Sequence, residues 1–393
     1  MLPRIALIIS LLVTAACGSS TGPSGSAPSR GTTKHVPKRV VGYFSSWGGH
    51  SRAFQVHDLE RSGAAGRLTH LLYAFGRVTN GRCAVGDAFA DYRKPMPDGL
   101  PGDDGLGGNI GQLRKLKILH PRLKILWSFG GWTGSAGFTQ AARDPEAFAA
   151  SCHELLNDPR WAGVFDGIDV DWEYPNACGL RCDASGASAL PRLLAALRPR
   201  FGLVSAAVAG DVVKLSATDY ASAARHADWL NAMTYDFFGT GGKPGPTAAH
   251  SPLTAYPGIP RSTGTTASAV DKLLSAGVPA GKILLGVGFY GRGWAGVRSA
   301  EPGASATGPA SGTYQDGIED YRVLQEKCPP TGTVGGTAYA ACGSQWWSYD
   351  TPDTIRTKME YARTKALGGA FAWELSGDTE DAVLVRAMAA GLR

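Results

Sequence analysis

Eight short runs of apolar, β-branched and aromatic residues recur along this chain, and segments of helical periodicity lie between most of them. The runs cover 39–47, 70–75, 124–131, 165–173, 203–209, 229–237, 282–290 and 369–375, and they read as buried strands. The helical stretches include 145–157, 190–200, 267–276 and 352–366. Strand and helix in alternation predict an α/β protein with a parallel sheet, and eight such units are the number that closes into a (β/α)8 TIM barrel. The 393 residues suffice for one large barrel. A doubly wound sheet is the alternative. Against it, the residues suited to chemistry stand at the ends of many different runs, and a barrel gathers all those ends round one mouth.

The fourth run carries the strongest chemical signal. Between Asp166 and Glu173 it holds Asp166, Asp169, Asp171 and Glu173 among apolar residues. On a strand, Asp169, Asp171 and Glu173 share one face, Asp166 falls on the other, and Ile168, Val170 and Trp172 can be buried opposite. Three acids side by side repel one another and are costly to desolvate, so stability does not select them. Such a cluster suits a site that keeps a proton on a carboxyl group at neutral pH. A calcium loop is the competing reading, but it needs a mid-loop Gly and a distant Glu, whereas Gly167 comes early and Ile168 and Trp172 intervene. Asp166, at the strand start, is read as structural. Gly286 to Gly291 fits the dinucleotide fingerprint by spacing, but the Arg-Gly-Trp-Ala-Gly that follows does not open a helix.

Asp166-Gly167-Ile168-Asp169-Val170-Asp171-Trp172-Glu173 resembles the DGxDxDxE signature of glycoside hydrolase family 18, the chitinases and their relatives. Ser128 to Trp132 resembles the family's SxGGW, Met233 to Asp236 its MxYD, Tyr290 to Arg292 its YxR, and Gly368 to Glu374 its last strand with the terminal Trp. All five come in the family's order over about residues 38–390. The resemblance implies Glu173 as general acid and base. It implies Asp171 as the group that turns between Glu173 and the substrate's acetamido N–H, with Asp169 deeper and the three titrating as a coupled set. Ser128 would hydrogen-bond near Asp169, and Tyr235 would donate to the acetamido oxygen. Asp236 and Arg292 would bind sugar hydroxyls. Trp373 would form the floor under the reacting sugar and Trp132 a platform on the leaving-group side, while Tyr43, Met233 and Tyr290 would complete the binding pocket. Trp47, Trp346 and Trp347 are further candidates for sugar contact. About residues 295–347 resemble a small α+β insertion that one subgroup carries between the seventh and eighth strands.

The N-terminus reads as a processing segment. Arg4 and the apolar stretch from Ile5 to Val13 make a signal too short to span a bilayer, and Thr14-Ala15-Ala16 lead to Cys17. This resembles a bacterial lipoprotein signal, residues 1–16, with lipid on Cys17; an ordinary secretory signal cleaved nearby is the alternative. Residues 17–37 are a Gly/Ser/Pro-rich tether, and 38–393 form the catalytic barrel. Both signals place the folded part outside the cytoplasm, at the cell surface or beyond it, with membrane contact only through Cys17. Without Cys17, six cysteines remain in an oxidising compartment. Closeness in sequence and the resemblance imply the pairs Cys83–Cys152, Cys178–Cys182 and Cys328–Cys342, among the fifteen connectivities six cysteines allow.

The net charge of +6 has no Lys/Arg block behind it, which argues against nucleic acid as a partner. The eight His are scattered without ligand spacing, so no metal and no other cofactor is implied. The function implied is a monomeric, exported chitinase that acts on chitin or chitooligosaccharides with retention, through an oxazolinium intermediate. Two other functions compete: an endo-β-N-acetylglucosaminidase on glycoprotein glycans, and a non-catalytic chitin-binding lectin on the same barrel. The insertion and Trp132 favour chitin over glycans, and Glu173, which family lectins usually lack, favours catalysis.

Overall fold

Eight parallel strands close on themselves in a computed structural model that describes residues 38–95, 105–241 and 244–393. The signal segment, Cys17 and the tether lie outside the described residues. The strands are β1 (Arg39–Ser45), β2 (His70–Thr79), β3 (Lys124–Gly130), β4 (Gly167–Asp171), β5 (Leu203–Val208), β6 (Trp229–Ala232), β7 (Ile283–Gly288) and β8 (Gly369–Trp373). Each pairs in parallel with its neighbours in sequence, and β1 pairs with both β2 and β8. The ring is thus closed, as the eight-fold alternation predicts, and the doubly wound sheet is excluded.

A helix follows each strand: α1 (Val56–Arg61), α2 (Gly108–Leu119), α3 (Pro145–Leu156), α4 (Ala189–Leu197), α5 (Tyr220–His226), α6 (Thr266–Ser275), α7 (Pro352–Thr364) and α8 (Val383–Gly391). Their starts are written in the sequence. Asp144 caps α3 by accepting from the Ala147 amide, with Pro145 in the first turn; Asp219 and Thr265 cap α5 and α6 in the same way.

Two-residue alternation sorts the strand side chains into two cores. Val41, Leu72, Leu126, Leu284 and Phe371 point inward and fill the barrel with Trp229. Val40, Phe44, Leu71, Ile125, Ile168 and Val170 point outward against the helices. Each such side chain, fully buried, contributes about 1.5–3 kcal/mol of transfer free energy. Asp166 stays at the strand start, where it accepts from Lys117, Lys124 and the Ile125 amide.

After β7 the chain turns directly into Tyr290–Ala295, with no helix between, which disposes of the dinucleotide fingerprint. That strand anchors a second, antiparallel sheet with Gly308–Pro309, Ile318–Asp320, Gly332–Val334, Thr337–Cys342 and Gln345–Tyr349, plus the helix Tyr321–Lys327. The sheet therefore starts earlier and ends later than residues 295–347. Trp346 and Trp347 are 0% and 2% exposed within it, so they are packing residues and not sugar platforms.

Among the described residues three disulfides are present: Cys83–Cys152, Cys178–Cys182 and Cys328–Cys342. The first ties the strand Arg82–Ala84 to α3 across 69 residues, the second closes only 4. Loop-closure entropy then predicts that removing Cys83–Cys152 by paired Ala substitutions costs about 4 kcal/mol, against about 2 kcal/mol for Cys178–Cys182. Denaturant unfolding of the two double variants checks this; equal losses would contradict it.

Candidate active site

The C-terminal ends of the strands form the mouth, and the acidic strand β4 brings its inward face to it. Asp169 is completely buried and is held by four neutral donors from four other strands. Ser205 Oγ on β5 donates at 2.6 Å, Ser128 Oγ on β3 at 2.7 Å, Tyr43 Oη on β1 at 3.0 Å and Asn231 Nδ2 on β6 at 3.4 Å. Burial raises the Asp169 pKa, and these hydrogen bonds oppose the rise. Ser205 and Asn231 are not among the residues singled out from the sequence. The available signal was a polar residue inside an otherwise apolar strand run.

Asp171 lies one same-face step nearer the mouth, buried, with Oδ1 lacking any hydrogen-bond partner. Burial raises its pKa well above the usual carboxylate range, and the charges of Glu173 and Asp169 add to that. Glu173 stands two residues beyond the end of β4, not within the strand. Its backbone amide donates to Ser135 Oγ at 2.8 Å, and Ser135 Oγ donates in turn to the Gly131 and Asp171 carbonyls. Burial pushes the Glu173 carboxyl up to about 7; the Asp236 charge adds to this, while Tyr174 and Lys214 oppose it.

The glycine pair after β3 makes this approach possible. Gly130 and Gly131 adopt φ of 111° and 79°, and a Cβ on Gly130 would lie 2.2 Å from the Asp171 carbonyl oxygen. Only glycine lets the end of β3 pass so close beneath the acids.

Met233, Tyr235 and Asp236 follow β6. Met233 is buried in the inner core beside Tyr43 and Phe371. The Tyr235 phenol has its pKa raised well above the usual value, first by burial and then by Tyr290, Asp171, Glu173 and Asp236, so it remains a hydrogen-bond donor. Asp236 accepts from Arg292 Nε and Nη2, both at 2.7 Å, a bidentate pair. Burial would push Asp236 up, but Arg292 and the nearby His250 outweigh it and hold the carboxyl well below the usual range. Its side chain is still 38% exposed, so water in the open cleft screens part of that effect.

The aromatics divide by environment. Trp373 ends β8, stacked on Phe75 at 5.6 Å and edge-on to Tyr43 at 5.3 Å. Trp132 and Trp47 are exposed at 50% and 39%, an unusual state for the largest side chain. Tyr290 packs edge-on against Tyr235 at 6.2 Å. A cavity of ≈ 280 Å³ opens against Trp47, Asp236, Tyr290, Arg292 and Trp373, and its far wall includes Arg52, Asp320 and Glu374. Those last three interact through Arg52; Glu374 closes the last-strand motif, while Arg52 and Asp320 belong to none of the five motifs. Among the described residues, no group of three or more His, Cys, Asp or Glu is placed to hold a metal ion.

The closed barrel thus carries tiers of acid at its mouth, backed by tyrosines and tryptophans. The family described as glycosyl hydrolases family 18 matches residues 39–378, and this chain belongs to it. It is 56% identical over 353 residues to chitinase C of Streptomyces lividans, covering 86% of this chain and 57% of that protein. It is 53% identical over 389 residues to chitinase 63 of Streptomyces plicatus, covering 95% and 63%. The chain thus spans roughly three-fifths of the length of these relatives. Its fold matches the catalytic domain of psychrophilic chitinase B from Arthrobacter TAD20 with a TM-score of 0.84 and 33% identity, over 91% of this chain and 95% of that one.

The raised Asp171 pKa has a consequence for stability. In the unfolded chain this carboxyl ionises near 3.8, and in the folded protein well above that. Between the two values the folded state keeps a proton that the unfolded state has released, so stability falls as pH rises. Asp171→Asn removes the penalty. The variant is expected to be more stable than the wild type by about 1–3 kcal/mol near neutral pH, with the gap closing towards about pH 4. Denaturant unfolding across that range checks this, and a pH-independent gap would rule it out.

Proposed function

We propose that this protein is an exported chitinase that hydrolyses β-1,4 bonds between N-acetylglucosamine units with retention of configuration. One observation carries the reading. A carboxyl group raised to about 7, Glu173, stands at the barrel mouth beside buried Asp171 and the Tyr235 phenol. Support comes from relatives named chitinases at 56% and 53% identity.

In this reading Glu173 gives its proton to the glycosidic oxygen as the bond to the leaving sugar breaks. The acetamido oxygen of the reacting sugar attacks C1 from the opposite face, forming an oxazolinium ring. Asp171, with Oδ1 free of any partner, turns to the acetamido N–H and accepts its hydrogen bond, which orients the acetamido oxygen towards C1 and holds the oxazolinium ring once it has formed. Tyr235 donates to the acetamido oxygen, where charge changes most. Glu173, now a carboxylate, takes a proton from water as the water opens the ring, so retention results from two inversions. Asp236 and Arg292 hold sugar hydroxyls, Trp373 supports the reacting ring, and Trp132 offers the leaving sugars a flat apolar face. Tyr43 and Ser128 hold Asp169, whose charge adds to the rise of Asp171, while Met233 and Tyr290 shape the pocket.

Export rests on the N-terminal signal and on three disulfides, which persist in oxidising compartments. Residues 1–16 are the signal, Cys17 takes the lipid, 17–37 are the tether, and the enzyme works as a monomer at the cell surface. The second sheet, with Arg292 on its first strand, forms a wall of the cleft.

Two measurements test the reaction. Glu173→Gln should bind chitooligosaccharides normally and turn over about 10²–10⁴-fold more slowly. In the wild type, kcat/KM should fall on the alkaline side through about pH 7, because the acid must be protonated. Near-normal turnover by the Gln variant would remove Glu173 from this role. Substrate assistance is tested separately: a thiazoline analogue of the oxazolinium ring should inhibit, and fully deacetylated chitosan should not be cleaved. Comparable cleavage of chitosan would defeat it.

A further inference from the structure

Behind the Asp236–Arg292 pair lies a buried polar cluster that the reaction scheme leaves unused. Lys358 on α7 and Asp350 are both 0% exposed and pair at 2.6 Å. Lys358 Nζ also donates to the Ser251 carbonyl at 2.6 Å and approaches Ser251 Oγ at 3.0 Å, while Ser251 Oγ donates to Asp350 at 2.8 Å. Thr337 adds a hydroxyl on the Ser251 carbonyl, and Ser348 accepts from the His250 amide at 3.1 Å. A serine beside a buried lysine is the pattern of a nucleophile, but these groups are sealed from solvent and cannot meet a substrate. Their effect is to fasten residues 250 and 251 to the second sheet and to α7. A buried ion pair is a poor source of stability but a strong constraint on geometry, since either partner alone would be an uncompensated buried charge.

The residue so fastened faces the site. His250 is completely buried, its ring 5.3 Å from that of Tyr290. Its carbonyl accepts from the amide of Phe237, the residue after Asp236, at 2.9 Å. Its Nδ1 stands 3.7 Å from Asp236 Oδ1, too long for a hydrogen bond but close enough to act electrostatically, and neither ring nitrogen has another partner. Asp236 itself has φ of 58°, a left-handed conformation that an aspartate keeps only when its surroundings impose it.

We infer that His250 is a positioning residue: it fixes Asp236 from two sides, through the Phe237 amide and the carboxylate, and the Lys358–Asp350 pair fixes His250. Asp236 is thereby kept on Arg292 and within electrostatic reach of Glu173. The charged and titratable groups around the imidazole are Asp236, Tyr290 and Arg292 on the cleft side, and Asp350 and Lys358 behind it. This inference rests on the chitinase reading for its consequence in turnover, but not for its geometry.

The test is a double-mutant cycle between His250→Leu and Asp236→Asn, read by kcat/KM on chitooligosaccharides. His250→Leu is expected to lose about tenfold in the wild-type background and less than about twofold once Asp236 is already Asn, because it acts only through that carboxylate. The alkaline limb of the pH profile should move to lower pH in His250→Leu, since the displaced Asp236 charge no longer raises Glu173. A crystal structure of the variant should show the Asp236 carboxylate moved off Arg292. Equal losses in both backgrounds, or an unmoved Asp236, would overturn the inference. Should His250→Leu not fold, the same cycle is run with His250→Asn, whose amide keeps a polar group there but is too short to support Asp236. Wild-type turnover tests the chitinase reading by itself. The position of Asp236 in the variant tests His250 whatever the substrate.

Discussion

The site depends on one buried carboxylate held by neutral donors. Asp169 sits inside the closed barrel, where an uncompensated charge costs several kcal/mol at least. Tyr43, Ser128, Ser205 and Asn231 reach it from β1, β3, β5 and β6, so a side chain of β4 ties five of the eight strands together at one level. These hydrogen bonds favour the ionised form and oppose the rise that burial imposes. Its four partners are neutral donors, so none of them brings a positive charge to the tier above. Asp171, the next inward residue, has its pKa raised first by burial and then by the charges of Glu173 and Asp169, and its Oδ1 has no hydrogen-bond partner. The tier below thus prepares the tier above as a proton holder.

The mouth adds a contrast between two kinds of acid. Glu173 and Asp171 are both pushed up by burial, to which Asp236 adds for Glu173 and Glu173 adds for Asp171, and both are kept protonated more readily than an ordinary carboxyl group. Asp236 has the same chemistry and the opposite environment: Arg292 grips it with two hydrogen bonds and keeps it ionised. The charge fixed on Asp236 raises Glu173 further, so the cation that stabilises one acid indirectly helps protonate the other. Arg292 comes from the second sheet, not from the barrel. That sheet is therefore part of the electrostatic machinery as well as a wall.

Much of this was legible from residue pattern. Period-two alternation put Asp169 and Asp171 on one face and Asp166 on the other, because a strand offers only those two directions, but Glu173, expected on the same strand, lies two residues past its end. Eight strand–helix units implied closure, because eight is the count of a (β/α)8 barrel and a closed ring gathers the chemical residues at the ends of many strands round one mouth. The candidate residues Tyr43, Ser128, Met233, Tyr235, Asp236, Tyr290, Arg292 and Trp373 all lie at the mouth or just inside it. The failures share a cause. Trp346 and Trp347 are candidates for sugar contact by type, but both are buried, Trp346 in the core of the second sheet and Trp347 in the main core. Ser205, Asn231, His250 and Lys358 read as unremarkable polar residues, and each takes its meaning from a partner on another element.

The sequence by itself determined the elements, the faces of the strands and the chemical types available at their ends, since these follow from local periodicity and residue chemistry. Only the tertiary structure decided which groups meet. Closing the barrel brings Ser205 to Asp169 across 36 residues and Tyr43 across 126. The second sheet folding back brings Arg292 to Asp236 across 56, and α7 brings Lys358 to Ser251 across 107. A pKa is set by burial and by charges a few ångströms away, whatever their distance along the chain. For that reason the acids could be named from the sequence, while their protonation became readable only once the barrel was closed.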